Sequence, residues 1–361
     1  MTLIPSRRNS GIALIIVLLV VTVLGLMAIH FGSLMKVETK LARNSSFDNE
    51  FDWIARSGVE AAKYVLAADL QGPSGQLDAL NEIWAGGPGV DTNDMAAQFP
   101  LAHFEIGPRR SVDTKIIDLD RKFNINVADE TILRQAMTLI GVDPAAQATI
   151  IDSILDWCDR DMNSHTRGVE SDFYKSGQGY LGIPYVAKDG PIDDLSELLL
   201  INGVTDGIYL GSGAGLRAFS DLRQASRSRF DEPIYTTGLR DLFTALSGRS
   251  LNINTASATT LQLLPPIDEN VAHAIIQRRA GPDGTDGTLD DTPFRSPAEI
   301  GTVPGLPPPV LQQFARFFTT RSIVFEATVV ARIGSDTRTY TAVLRRNSPR
   351  DIQILTMSQT Q

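Results

Sequence analysis

Residues 12–31 of this chain carry no charged side chain. A helix of about twenty residues crosses the roughly 30 Å hydrocarbon layer of a bilayer, so the run matches a membrane span. It is longer than the apolar core of a secretory signal, about 7–15 residues, and no small-residue cleavage pattern follows Met27-Ala28-Ile29-His30. The span is therefore expected to be kept. Flanking charge does not orient it, since Arg7 and Arg8 precede it and Lys36, Lys40 and Arg43 follow. Past the span, Leu34, Val37, Leu41, Phe47, Phe51, Ile54, Val59, Ala62 and Leu66 recur at helical spacing, with no proline before Pro73. This predicts one helix over residues 12–70, about 90 Å long at 1.5 Å per residue. The alternative is two helices with a bend at Gly32-Ser33.

The remaining chain is long enough for two or three domains. Residues 72–93 are rich in Gly, Pro and Asp and read as a loop. Residues 103–106 and 114–119 read as strands, as do 323–333 and 337–345 around a Gly334-Ser335-Asp336 turn. Residues 349–361 are mostly polar and are expected to be a mobile tail. The predicted class is α+β: a long N-terminal helix, a small antiparallel sheet, and a large all-α insertion. The boundaries are 12–31 for the span and 32–70 for the rest of the helix. The body follows at 71–123 and 319–348, with 124–318 inserted.

The insertion contains a duplication. Phe123-Asn-Ile-Asn-Val-Ala recurs as Leu251-Asn-Ile-Asn-Thr-Ala. Apolar helices follow at 131–140 and 260–264, Ala/Ile-rich ones at 148–155 and 271–276, and acidic-capped ones at 192–204 and 296–306. Asn126 and Asn254 fall where an N-cap is expected. These units resemble helix-hairpin-helix (SAM-like) repeats, many of which bind DNA through a Gly-x-Gly hairpin whose bare amides hold a phosphate. Here the hairpins read Gly141-Val-Asp, Gly203-Val-Thr, Pro266-Ile-Asp and Gly305-Leu-Pro, without the second glycine. Asp143 and Asp268 put negative charge where a phosphate would lie, and Pro307 lacks a donor. Net charge is −9, which also argues against a polyphosphate partner. The repeats are read as scaffold, with no nucleic acid as partner.

Two loops are dense in carboxylates. Counting from Asp159, oxygen ligands fall at positions one, three, five and twelve: Asp159, Asp161, Asn163 and Glu170. This is the spacing of an EF-hand calcium loop. Ser164 stands where that loop needs glycine, so the expectation is a hard-cation loop of another kind, with Asp156 and Asp172 as alternative ligands. In the second loop, Asp283, Asp286, Asp290 and Asp291 lie among glycines; a plain flexible loop is the simpler reading there, an ion site the other. One or two calcium ions are expected in all. The four histidines show no metal-protease or triad spacing, and no G-x-S-x-G elbow occurs. Cys158 is the one cysteine, so no internal disulfide forms, and no enzymatic activity is expected.

The junction Arg7-Arg8-Asn9-Ser10-Gly11, followed at once by the apolar run, resembles the leader of type IV pilins and type II secretion pseudopilins. The resemblance implies cleavage by a prepilin peptidase between Gly11 and Ile12, with residues 1–11 lost, and the methylation that goes with such processing. Most members carry Glu at the fifth mature position; here it is Ile16. A carboxylate in hydrocarbon needs a partner, and a subunit with no predecessor has none to offer. Ile16, together with Asp156, Trp157, Asp159 and Asp161 followed by Gly168, Glu170 and Tyr174, resembles the K-class minor pseudopilins of type II secretion, which bind calcium. The resemblance implies an inner-membrane, single-pass protein with a periplasmic head that starts the pseudopilus at its tip. Its partners would be the I- and J-class minor pseudopilins, the major pseudopilin, the prepilin peptidase and the inner-membrane assembly platform. Other readings are a type IV pilus minor pilin, a membrane-tethered DNA receptor and a membrane-anchored hydrolase.

Overall fold

The computed structural model describes residues 10–72, 75–89, 101–179, 182–211, 235–306 and 315–360. Most of the expected leader, part of the 72–93 loop and Pro307 lie outside them. Helix α1, Ser10–Asp69, is one unbroken α-helix of 60 residues, so the bend at Gly32-Ser33 is absent. Thr22, Ser33 and Thr39 return their hydroxyls to the carbonyls of Leu18, His30 and Met35, so these three hydroxyls are satisfied within the helix. Residues Leu14–Thr39 are long and apolar enough to cross a membrane, with mean hydropathy 2.9 and none buried.

From Phe51 onward α1 lies on a five-stranded antiparallel sheet in the order β1-β2-β7-β8-β9. The strands are β1 (Phe104–Gly107), β2 (Arg110–Asp118), β7 (Val324–Ile333), β8 (Asp336–Ser348) and β9 (Asp351–Thr360). Alternation puts Phe325, Ala327, Val329 and Ala331 on the inner face of β7, against Ile54, Val59, Ala62 and Leu66 of the helix. Gly58 permits this approach: a Cβ there would stand 2.5 Å from Val329 Cγ1. The mobile tail expected from composition is corrected. β9 pairs along β8, with Thr339 opposite Thr360 and Ser348 opposite Asp351, and Ile352 and Met357 pack on the core. An edge strand with one wet face has the polarity of a loop, which is why composition misread it.

The chain leaves the sheet at the end of β2 and returns at β7. Between them, two copies of one plan share a single apolar core. Each copy opens on a two-residue strand paired in parallel: β3 (Phe123–Asn124) with β4 (Phe243–Thr244), and β5 (Leu251–Asn252) with β6 (Phe318–Thr319). The first copy continues through α2 (Glu130–Ile140) and α3 (Pro144–Cys158), the second through helices Ala258–Leu261 and Glu269–Arg279. The closing elements are 3-10 helices, Leu195–Leu200 and Pro297–Thr302. Asn126 and Asn254 are not N-caps. The caps are Asp129 and Ser257, which sit directly before the first turns. Each Asn instead exchanges two hydrogen bonds with a distant backbone unit, Asn126 with Ile192 and Asn254 with Phe294. The duplication thus reaches individual hydrogen bonds.

Candidate metal centre

Helix α3 carries the acidic loop at its C-terminal end. Pro144 begins the helix and Asp143 Oδ1 accepts from Ala145 N, closing the N-terminus. At the other end Asp156 is fully buried. Its Oδ1 accepts from the backbone N–H of His165 at 2.9 Å and also meets His165 Nδ1. Asp152 Oδ2 accepts from Arg167 N at 3.0 Å. These bonds fold residues 159–170 back over the last turn of α3. Gly168 seals the contact, because a Cβ there would lie 1.9 Å from Asp156 Oδ2. Trp157 packs edge-on against Tyr174 at 5.4 Å, and Tyr174 stacks on Tyr185 at 5.1 Å. The spacing of Asp156, Trp157, Gly168 and Tyr174 is therefore a packing code for the loop.

Oxygens of Asp159, Asp161 and Glu170 lie within 4.8 Å of one another, and an overlapping group joins Asp156, Asp159 and His165. Four buried carboxylate oxygens in this region accept no hydrogen bond: Asp156 Oδ2, Asp159 Oδ1, Glu170 Oε1 and Asp189 Oδ1. A carboxylate removed from water without a donor is costly, and several together repel. Burial and then the charges of Asp156, Asp159, Asp189 and Asp161 push the Glu170 carboxyl up. Burial and then Asp161 and Asp156 do the same to Asp159. All-oxygen, multiply anionic sites suit a hard cation such as calcium, and these residues fit one.

Not every expected ligand joins the cluster. Asp172 is exposed and pairs with Lys175 at 3.4 Å. Asn163 is exposed and gives its backbone N–H to Asp161. Asp189 was not foreseen from the sequence. It lies 19 residues past Glu170 in the chain and holds a left-handed backbone, φ 51°; the only sequence signal was its place in an Asp-Gly turn. Burial, then Glu197 and Asp159, push the Cys158 thiol up to about 11, which disfavours its thiolate.

The second acidic loop is built differently. Arg279 grips Asp286 with two bonds, 2.9 and 2.7 Å. Asp283 accepts from Thr285 N, and Asp290 accepts from Asp283 N and Thr288 Oγ1. Asp291 accepts from Gly287 N and Thr288 N. Two of the four hairpins use their aspartates in the same manner. Asp143 and Asp268 occupy the helix N-termini, Asp268 accepting from Val271 N at 2.8 Å. At the start of the chain, Ile16 is exposed on the apolar helix. The backbone of Gly11 and Ile12 lies in its first turns.

Comparison with known proteins gives a consistent result. The profile described as "Type II secretion system (T2SS), protein K" matches residues 115–211, and a helix-hairpin-helix motif profile matches residues 247–319. A type II secretion system protein K of Pseudomonas aeruginosa is 24% identical over 288 residues, 76% of this chain and 73% of that one. Another, from Aeromonas hydrophila, is 23% identical over 216 residues, 57% of this chain. The match spans 62% of that relative's length. The fold superposes on a chain of the solved GspK-GspI-GspJ complex of enterotoxigenic Escherichia coli with a TM-score of 0.64 at 16% identity, covering 89% of this chain and 99% of that one. With the long apolar helix, the antiparallel sheet and the duplicated insertion already in view, the chain is similar in sequence to type II secretion system protein K and shares its fold with a chain of the solved GspK-GspI-GspJ complex.

Proposed function

We propose that this chain is the tip subunit that starts a type II secretion pseudopilus for export of folded proteins. The observation that carries this reading is the insertion between β2 and β7. It adds a second apolar core to a body that already packs on α1. Such a head can crown a narrow filament, but repeated along the shaft it would crowd its neighbours. Ile16 fits the same place, because a first subunit has no predecessor whose amino terminus a carboxylate could meet. The chain is cleaved after Gly11, spans the inner membrane once and holds its head in the periplasm. It assembles with I- and J-class minor pseudopilins, as the GspK chain of the solved complex does with GspI and GspJ. The major pseudopilin and the assembly platform then extend the fibre.

Calcium is held by Asp159, Asp161 and Glu170, with Asp156 and Asp189 closing the cluster. The four unpaired buried oxygens support this assignment. The ion fixes the loop and so the shape of the insertion; no catalysis is assigned to it. The deciding experiment determines the mature amino terminus in cells with and without prepilin peptidase, and counts this chain per pseudopilus. A terminus at Ile12 with about one copy per fibre is expected. An uncut chain in secreting cells, or many copies along the shaft, overturns the reading.

A further inference from the structure

Between the body and the insertion lies a second set of carboxylates, unrelated to the α3 loop. Asp69 ends α1, Asp78 and Glu82 follow in the next loop, Asp118 ends β2 and Asp120 lies just beyond it. All five are at most 3% exposed. One fully buried cation, Arg346 of β8, faces them. It reaches Asp69 at 2.9 Å and also Asp78, and lies over the Phe325 ring at 4.5 Å. The other charged groups at this seam are half-buried or engaged elsewhere. Arg121 faces Asp118; Lys122 gives its ammonium to Arg240 O; Arg279 is held by Asp286.

The seam is where the second repeat is fastened to the body. Asn252 Nδ2 donates to Asp78 O, to Asp118 Oδ2 and to Ser322 Oγ. Thr255 and Ser322 give their hydroxyls to Asp118 Oδ2. Asp120 accepts three backbone amides, from Gly248, Ile323 and Val324, the pattern of an ionised group. Glu82 is different. Its Oε2 accepts from Ala79 N and Trp84 Nε1, while Oε1 is buried with no donor. A Glu82 carboxylate oxygen lies within 4.8 Å of oxygens of Asp69 and Asp78. An ionised Glu82 would leave Oε1 buried without a donor beside two further carboxylates, which favours the protonated form.

We propose that Glu82 is a carboxylic acid in the folded protein, and that its proton is part of the latch holding the insertion on the pilin body. Burial, then Asp69 and Asp78, hold the Glu82 carboxyl well above the ordinary range, and burial, then Asp120, push Asp118 up to about 7. Both groups bind protons more tightly folded than unfolded. Their contribution is thus complete below the ordinary carboxylate range, about 4, and is lost as pH rises, for Asp118 through about 7. The seam loosens toward alkaline pH.

The test uses the full chain in detergent with calcium held saturating, so that the α3 loop does not titrate with the seam. The melting temperature of the wild-type protein is expected to fall by roughly 2 °C or more between pH 5 and pH 8. In Glu82→Gln, which keeps a donor without the titration, the slope flattens and the variant at pH 8 melts at or above wild type. A wild-type curve flat over that range overturns the proposal. So does a Glu82→Gln protein that melts lower at both pH values, because Glu82 would then be an anion holding a cation. Should the variant fail to fold, infrared spectra of wild-type protein labelled with ¹³C-carboxyl glutamate decide. A protonated-carboxyl stretch from glutamate at pH 7 supports the proposal, and its absence overturns it.

Discussion

The two acidic loops look alike in sequence and are opposites in structure. The loop after α3 gathers Asp159, Asp161 and Glu170 and leaves buried oxygens without donors. The loop at residues 281–291 spends its carboxylates on its own amides, on Thr288 and on Arg279. Counting aspartates cannot separate these cases, but counting donors does. A carboxylate with donors is finished structure, while a buried one without them is a request for a proton or an ion.

The largest effect should come from the finished loop. Arg279 is nearly buried and also donates to the carbonyls of Ile253 and Ala256. Arg279→Ala leaves Asp286 and two carbonyls unpaired. Removing one partner of a buried pair costs about 3–5 kcal/mol, and the partial exposure of Asp286 puts the expectation at the lower end. Denaturant unfolding should show the same loss with calcium or with chelator. A loss that calcium repairs would make this loop an ion site too and erase the contrast.

The unfinished loop should respond to calcium in proportion to occupancy. At a free concentration a hundred times the dissociation constant, binding to the folded state alone adds about 2.7 kcal/mol. Asp161→Ala should abolish the calcium-induced rise in melting temperature, and Asp189→Asn should reduce it. An Asp189→Asn protein with undiminished calcium response would remove that residue from the cluster. Next in size is Gly168→Ala, whose Cβ has no room beside Asp156 Oδ2. The loop must shift, so calcium affinity should drop by at least tenfold in a calorimetric titration. An unchanged affinity would show that Asp156 orients nothing the ion needs.

The same difference explains what could be read in the chain beforehand. Local patterns were legible: the α1 stripe, the alternating strands, and the EF-like spacing that brings Asp159, Asp161 and Glu170 together within one loop. Contacts between distant segments were not. Asp189, in a turn beyond α4 (Ser171–Lys175), adds its charge to Glu170, and Asn126 meets Ile192 across 66 residues. The Arg346 seam draws on α1, on strands β2, β5, β7 and β8 and on the loops beside them, and no window of sequence contains it. β9 was missed because a strand with one wet face has the composition of a tail. Asn163 and Asp172 were over-read, since correct spacing does not ensure that a side chain turns inward.

The smallest effect is the sharpest check on donor counting. Asp290 is half-buried, and hydrogen bonds from Thr288 and then from the Asp283 amide hold its carboxyl below the usual range. Because its anion already has these donors, Asp290→Asn should leave the calcium-induced rise in melting temperature unchanged, while Asp161→Ala removes it. A depressed carboxyl contributes only above the ordinary carboxylate range and loses that contribution as pH falls. The variant should therefore differ from wild type slightly at pH 7 and less at pH 3. If Asp290→Asn instead cut the calcium response by half, hydrogen-bonded aspartates would be exchanging their donors for an ion. Unpaired oxygens would then cease to distinguish one loop from the other.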